Sequence, residues 1–88
     1  MKKALTDIKV LDFTRIIAGP FCTMLLKDLG AEVIKVEHPV GGDATRNMAP
    51  FTEAKESNMF IAVNWGKKSV TLNLSTEKGN ETQKIILN

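Results

Sequence analysis

Residues 8–37 read IKVLDFTRIIAGPFCTMLLKDLGAEVIKVE, in which two short apolar runs flank a segment with helical periodicity. The first run, Ile8–Phe13, has only two charged residues inside it, a pattern typical of a largely buried strand. The second run, Val33–Val36, ends near Glu37 and is closed by Pro39, which has no N–H to continue a ladder. Both runs are therefore predicted to be buried strands.

The segment between the two strands is predicted to form a helix from about Pro20 to Leu29. Apolar residues recur there at helical spacing, and Pro20 suits the first helical position, where its missing N–H costs nothing. Gly30 is placed to end the helix in a left-handed conformation. Strand, helix and strand together have the length of a βαβ unit, so the two strands should be parallel with a right-handed crossover.

The remainder of the chain continues this α/β pattern. An irregular stretch around 41–50 precedes a short helix near Ser57–Ala62, and alternating apolar residues predict a third strand over 69–74. Ser75 is predicted to cap a final helix. We interpret the chain as the Rossmann-like βαβ start of a parallel sheet, the truncated front of a larger domain, because such a helix normally leads to another strand. The alternative is a small three-stranded protein that pairs with a partner.

Composition limits the class of protein. The chain has 88 residues, enough for one small domain covering 1–88, and its net charge of +2 is too small to indicate nucleic acid binding. Cys22 is the only cysteine, so it is predicted to be a free, packed thiol in a reducing compartment. Neither a signal peptide nor a membrane span is recognisable, and we expect a cytoplasmic protein without membrane contact.

A ligand site is expected where the strands end, because open α/β sheets bind ligands outside the carboxyl ends of their strands. The loop after the first strand leads to a helix N-terminus with the small residues Ala18 and Gly19, which would let a pyrophosphate approach closely. Glu37 ends the second strand, where nucleotide folds place a ribose contact. The fingerprint G-x-G-x-x-G is absent, however, so NAD or FAD binding is disfavoured, and the lone His38 makes no metal site.

Charged residues around this edge have two interpretations. Arg46, Lys67 and Lys68 lie in predicted irregular segments and could contact phosphates, although such side chains usually just solvate a surface. Asp12 and Asp43 are best explained as loop caps, since nothing marks them as a general acid/base pair. From the residues alone, the sequence therefore predicts a nucleotide-like α/β half-site without visible catalytic groups.

Five segments, in order, resemble the opening of class III CoA-transferases, the family that includes formyl-CoA and carnitine CoA-transferases and alpha-methylacyl-CoA racemases. The segments are LDFT at 11–14, AGP at 18–20, LGAEVIKVE at 29–37, GDATR at 42–46 and NWGKKSVTLNL at 64–74. The resemblance implies a Rossmann-like large domain, a second smaller domain and two interlocked subunits. It also implies acyl-CoA and a carboxylate as substrates, with no permanently bound cofactor.

The resemblance further implies which residues bind CoA in this chain. They are Ile17, Ala18, His38, Leu72, Asn73, Leu74 and Ser75. Formyl-CoA transferases often have arginine at position 38 and lysine at position 75, so this chain departs from them at two places that would face phosphates.

The catalytic residue that the family implies is not matched in this chain. In the transferase branch an aspartate carboxylate attacks the acyl-CoA, and in the racemase branch an acid/base pair moves the proton next to the thioester; both lie beyond residue 88. We therefore expect an enzyme in the complete protein and no activity in this chain alone. The alternatives are an acyl-CoA racemase or dehydratase-like enzyme, or a non-catalytic CoA-binding, nucleotide-binding or interaction fragment.

Overall fold

A computed structural model describes residues 2–87 and confirms the α/β class. Three parallel strands form one sheet in the order β1-β2-β3, with β1 at Lys9–Asp12, β2 at Glu32–Glu37 and β3 at Lys68–Thr71. The helices are α1 (Ala18–Asp28), α2 (Asn58–Asn64) and α3 (Glu77–Leu87), with a short 3-10 helix at Ala44–Asn47. The predicted βαβ unit is therefore present, followed by a second parallel crossover.

The end of α1 is fixed by its glycine. Gly30 has φ +110°, and a Cβ built there would lie 2.8 Å from the Cβ of Lys3. The Gly30 N–H donates to Lys27 O and the Ala31 N–H to Leu26 O, the pair of bonds that defines a Schellman cap. The predicted role of Gly30 is thus confirmed. At the other end the helix begins at Ala18, so Pro20 lies inside the first turn, where no intrahelical donor is lost.

The second crossover passes through α2, whose start is capped by Ser57. The Ser57 Oγ accepts from the Phe60 N–H at 3.4 Å and donates to Met48 O at 2.7 Å. The short helix predicted near this serine is therefore present, and it continues to Asn64. α1 packs against β1 and β2 and also contacts α2, which in turn packs against the 3-10 helix.

The third strand is shorter than predicted. Its pairing with β2 reaches Glu37 opposite Thr71, and a last backbone bond joins the Leu72 N–H to Glu37 O at 3.0 Å. Beyond that point β2 supplies no partner, so the alternating residues 72–74 lie outside the ladder. Thr76, not Ser75, caps α3, because its Oγ1 accepts from the Gly79 N–H at 3.0 Å.

The covered face of the sheet carries charge as well as apolar side chains. Asp12, Lys35 and Ser69 are register partners across the three strands, so their side chains share that face. The buried hydrophobic residues are Ala31, Val33, Val36 and Val63. Val33 shares the face of Lys35, whereas Val36 lies on the opposite face, at the pocket described below. Cys22 is free as predicted but exposed rather than packed. None of the helices within residues 2–87 is both long and apolar enough to cross a membrane.

Candidate functional site

A pocket of about 200 Å³ lies at the carboxyl ends of the three strands. The residues around it follow the strand ends directly or belong to them: Phe13, Arg15, Val36, Glu37, His38, Leu72, Leu74 and Ser75. This is the edge at which parallel sheets bind their ligands. The pocket is therefore the candidate binding site of the chain.

The residues implied by the family resemblance divide into two groups in the structure. His38, Leu72, Leu74 and Ser75 line the pocket together. Asn73 shapes its wall instead, because its Oδ1 accepts from the Ser75 N–H at 3.1 Å and from the Ser75 Oγ at 2.6 Å.

The other two residues implied by the resemblance, Ile17 and Ala18, do not line the pocket. They lie at the start of α1, where both are exposed. Ile17 occupies the N-cap position without a side-chain hydrogen bond, so this helix start has no side chain of its own to satisfy its first N–H groups.

His38 is exposed at the pocket, and its side chain makes one hydrogen bond within residues 2–87. Its Nδ1 accepts from the Val40 N–H at 3.0 Å. Nδ1 is therefore occupied by the backbone, and Nε2 is the ring nitrogen left to contact a ligand.

Behind the pocket, Asp12 is at the centre of a closed hydrogen-bond network. Asp12 is only 1% exposed. Its Oδ1 accepts hydrogen bonds from both the N–H and the Oγ1 of Thr14, and its Oδ2 accepts one from the Thr23 Oγ1 at 2.7 Å. Burial raises the pKa of Asp12, but the hydrogen bonds from Thr14 and Thr23 outweigh it and hold the pKa below its usual value. The predicted loop-capping role is present, as part of a larger network.

Lys67 completes that network and is not available to a ligand. Its Nζ donates to Asp12 Oδ2 at 3.0 Å, to Pro20 O at 3.0 Å and to Asn64 Oδ1 at 2.9 Å, which uses all three of its donors. The prediction that Lys67 contacts phosphate or solvates the surface is therefore wrong. The next residue, Lys68, does lie on the surface, where it pairs with Glu32.

A second buried ion pair joins β2 to the loop before the 3-10 helix. Lys35 Nζ lies 2.8 Å from Asp43 Oδ2 and donates to Thr14 O at 3.0 Å. Asp43 Oδ1 accepts from the Thr45 N–H and Oγ1, and from the Ile16 N–H at 3.3 Å. Oδ2 is buried without a hydrogen bond of good geometry among residues 2–87, so Lys35 balances its charge as an ion pair.

The carboxyl group of Asp43 is ionised in this arrangement. Burial raises the pKa of Asp43, but Lys35 and the hydrogen bonds from Thr45 lower it below its usual value. Sequence reasoning missed Lys35 altogether. The available signal was a lysine inside an otherwise apolar buried strand, since a buried charge requires a partner.

Glu37 ends β2 as a member of a third pair. The Arg46 guanidinium donates to both carboxylate oxygens, at 2.7 and 2.8 Å, and the Ser69 Oγ and the Asp43 N–H add hydrogen bonds. The hydrogen bond from Arg46 is the largest cause that lowers the pKa of Glu37, and the Ser69 Oγ and the Asp43 N–H act in the same direction. Burial raises this pKa, but the hydrogen bonds outweigh it and bring the pKa to about 2. Arg46 is also held over the Phe60 ring, 3.9 Å from its centroid. Glu37 is thus committed to protein contacts, which argues against the predicted ribose contact.

The β1–α1 loop owes its shape to Gly19. A Cβ at that position would lie 2.5 Å from Thr14 Cβ, so the missing side chain accommodates Thr14 rather than a ligand. Ile16 adopts φ +73°, a left-handed conformation that β-branched residues rarely take. The expectation that Gly19 makes room for pyrophosphate is therefore corrected.

Arg15, in the same loop, was missed by sequence reasoning. It is exposed, it lines the pocket, and it has no carboxylate partner among residues 2–87. No group of three or more potential metal ligands occurs within that range.

Fold and pocket together define an α/β protein with a candidate binding site at the ends of its parallel strands, with apolar walls and a polar rim. The sequence model of CoA-transferase family III matches residues 5–87. The chain belongs to CoA-transferase family III, as the sequence segments indicated.

Individual relatives agree with this assignment. Human succinyl-CoA:glutarate CoA-transferase is 52% identical over 77 residues, covering 88% of this chain and 18% of the relative. Succinyl-CoA:mesaconate CoA-transferase of Haloarcula marismortui is 50% identical over 82 residues, covering 89% and 20%. A crystal structure of a CaiB/BaiF family protein from Brucella suis superposes with a TM-score of 0.85 at 41% identity, covering 96% of this chain and 23% of that one. The chain spans about a fifth of the length of these relatives.

Proposed function

We propose that the protein carrying this chain transfers CoA between carboxylic acids, and that residues 1–88 are the N-terminal part of its large domain. The chain would contribute part of the CoA site. The observation that carries this proposal is the pocket at the strand ends, which brings together His38, Leu72, Leu74 and Ser75. These residues come from two separate segments and were assigned to CoA by the resemblance alone.

The walls of the pocket suit the adenosine end of CoA. Phe13, Val36, Leu72 and Leu74 provide apolar surface for a flat base, while Ser75 adds a hydroxyl at the rim. Small-molecule sites combine mostly apolar walls with a few polar groups in this way. The charge of Glu37, also at the pocket, is neutralised by Arg46 and so does not repel a phosphate strongly.

Ile17 and Ala18 are proposed to contact another part of the same ligand through the backbone. The start of α1 has no capping side chain, so its N–H groups can donate to an oxygen of a ligand that extends from the pocket. A long molecule such as CoA would reach both places. The adenosine end would occupy the pocket, and the remainder would pass the start of α1.

The chemical step is proposed to lie outside this chain. A carboxylate nucleophile would attack the thioester carbonyl, which forms a mixed anhydride and releases CoA as its thiolate. The thiolate would then attack the enzyme's own carbonyl in that anhydride, which releases the donor acid and leaves an enzyme–CoA thioester, and the acceptor acid would take up CoA by the same steps in reverse. Asp12 and Asp43 are each 1% exposed and held in ion pairs, so neither is available for such an attack. Transfer is preferred to racemisation because the relatives above are named as CoA-transferases. We further propose a homodimer for the complete protein.

Calorimetric titration of the complete protein that carries this chain with CoA tests the binding role. Leu72→Asp should weaken CoA binding at least tenfold, because it places a carboxylate in the apolar wall near the phosphates. Leu25→Asp is the matched control, since Leu25 is 46% exposed on α1 and does not line the pocket. Equal affinities for the two variants, or no CoA binding by the parent protein, would contradict the proposal.

A further inference from the structure

CoA carries several phosphate charges, and few cations of this chain lie at the pocket to meet them. The sequence offered three basic residues as candidates for phosphate contact, and each has a carboxylate partner in the structure. Lys67 pairs with Asp12, Arg46 with Glu37 and Lys68 with Glu32. The charge that recognises phosphate must therefore come from another residue.

Arg15 is the cation that remains at the pocket. Within residues 2–87 it is the one basic residue that lines the pocket, and it makes no ion pair there. Of the other polar residues at the pocket, His38 and Ser75 carry no permanent charge, and the Glu37 carboxylate is paired with Arg46. The two ion pairs behind the pocket and the Arg46–Glu37 pair at its edge each cancel internally, which leaves the Arg15 guanidinium as the unpaired charge at the pocket within residues 2–87.

The backbone around Arg15 is held on both sides. Before it, Thr14 O accepts from Lys35 Nζ at 3.0 Å, and Thr14 N–H donates to Asp12 at 2.8 Å. After it, the Ile16 N–H donates to Asp43 Oδ1 at 3.3 Å. Buried charges thus anchor the residues on either side of an exposed arginine, which lowers the entropy cost of presenting it to a ligand.

We infer that Arg15 is the phosphate-binding residue of the CoA site in this chain and replaces the cations that formyl-CoA transferases often have at positions 38 and 75. The inference rests on the proposed function and deepens it by naming the residue that reads the phosphates. A guanidinium is well suited to this role, because its planar fork donates two parallel hydrogen bonds to phosphate oxygens.

Titrations of the complete protein that carries this chain with three ligands test this assignment. Arg15→Gln should weaken CoA binding about tenfold and leave the affinity for adenosine, which has no phosphate, unchanged. It should also reduce the loss of CoA affinity caused by added salt, because one screened charge pair is gone. Arg15→Lys should recover part of the affinity. Lys9→Gln removes the same charge from the opposite end of β1 and should bind CoA like the parent protein.

Dephospho-CoA, which keeps the diphosphate but lacks the 3′-phosphate, identifies the group that Arg15 contacts. If Arg15→Gln weakens both ligands equally, Arg15 binds the diphosphate, and if it weakens only CoA, Arg15 binds the 3′-phosphate; either result supports the inference. Unchanged CoA affinity in Arg15→Gln, or an equal loss of adenosine affinity, would overturn the inference while leaving the proposed function intact. A parent protein that binds no CoA would overturn both.

Discussion

Two regions at the same edge of the sheet use charge in opposite ways. In the buried region, formed by Asp12, Lys67, Lys35 and Asp43, every charge has a partner and is withdrawn from solvent. In the open region at the pocket, Arg15 is exposed and unpaired within residues 2–87. The buried ion pairs fix the position of the β1–α1 loop, whereas the exposed side chain of Arg15 is available to bind a ligand.

The difference teaches that neighbours, rather than residue type, decide the role of a lysine or an arginine here. Lys67 and Lys68 are adjacent in sequence, yet the side chain of Lys67 is 1% exposed and that of Lys68 is 70% exposed. One stabilises the interior and the other forms a surface pair. The comparison can be tested by changing matched residues in the two environments.

The largest effect is expected from removing the buried lysine. Lys67→Met should lower the free energy of unfolding by about 3–5 kcal/mol, because it leaves the Asp12 carboxylate buried without its counter-charge. Lys68→Met, its neighbour, should cost less than about 1 kcal/mol, because its partner Glu32 stays in water. Urea denaturation of both variants measures the two values, and similar losses would show that the two lysines do not differ as described.

Acid should act on the same buried region. The folded pKa of Glu37 is about 2, below the ordinary value of 4.5, so its native form binds fewer protons than its unfolded form. Its stabilisation is then fully present above about pH 4.5 and is lost as the pH falls toward 2, in total about 3 kcal/mol. The lowered pKa values of Asp12 and Asp43 act in the same direction.

Thermal unfolding between pH 7 and pH 3 measures this loss. Glu37→Gln cannot ionise at that position, so its unfolding temperature should depend less on pH than that of the parent chain. An equal pH dependence in both proteins would show that Glu37 does not carry the effect.

Two adjacent glycines extend the comparison to the backbone. Gly41 and Gly42 have φ of +79° and +65°, so alanine is strained at either position, at a cost of about 1 kcal/mol. A Cβ at Gly41 meets no atom within 4 Å, whereas one at Gly42 lies 2.6 Å from the Glu37 Oε1. Gly42→Ala should therefore cost about 1 kcal/mol more than Gly41→Ala. Denaturation midpoints that coincide would mean that the Glu37 carboxylate moves aside freely.

Much of the fold could be predicted from the sequence because local patterns determine it. The apolar runs predicted β1 and β2, and Gly30 predicted the end of α1. The alternation of apolar and polar residues over 69–74 predicted too long a third strand, because Leu72 and Leu74 line the pocket instead of continuing the strand pairing. A strand ends where its neighbour stops supplying hydrogen bonds, and local alternation does not contain that information.

The site was less predictable because its contacts are distant in sequence. Asp12 and Lys67 are 55 positions apart, so no local pattern shows that they pair. Lys35 was overlooked because it lies inside an otherwise apolar strand. Arg15 was overlooked because the sequence does not show that the other candidate cations are bound to carboxylates, which leaves Arg15 as the unpaired cation at the pocket. The location of the pocket, in contrast, followed from the parallel sheet itself.

The smallest effect is expected at His38, in the open region. His38→Arg should leave the free energy of unfolding within about 0.5 kcal/mol, since the side chain is exposed and gives up one hydrogen bond, from the Val40 N–H. It should nevertheless raise CoA affinity about threefold, because a second permanent charge then joins Arg15 at the pocket. Calorimetry with CoA and with adenosine separates these effects, as only CoA carries phosphate. A gain for both ligands would indicate stacking on the base, and a loss of stability above 1 kcal/mol would show that the pocket rim is as tightly packed as the buried region behind it.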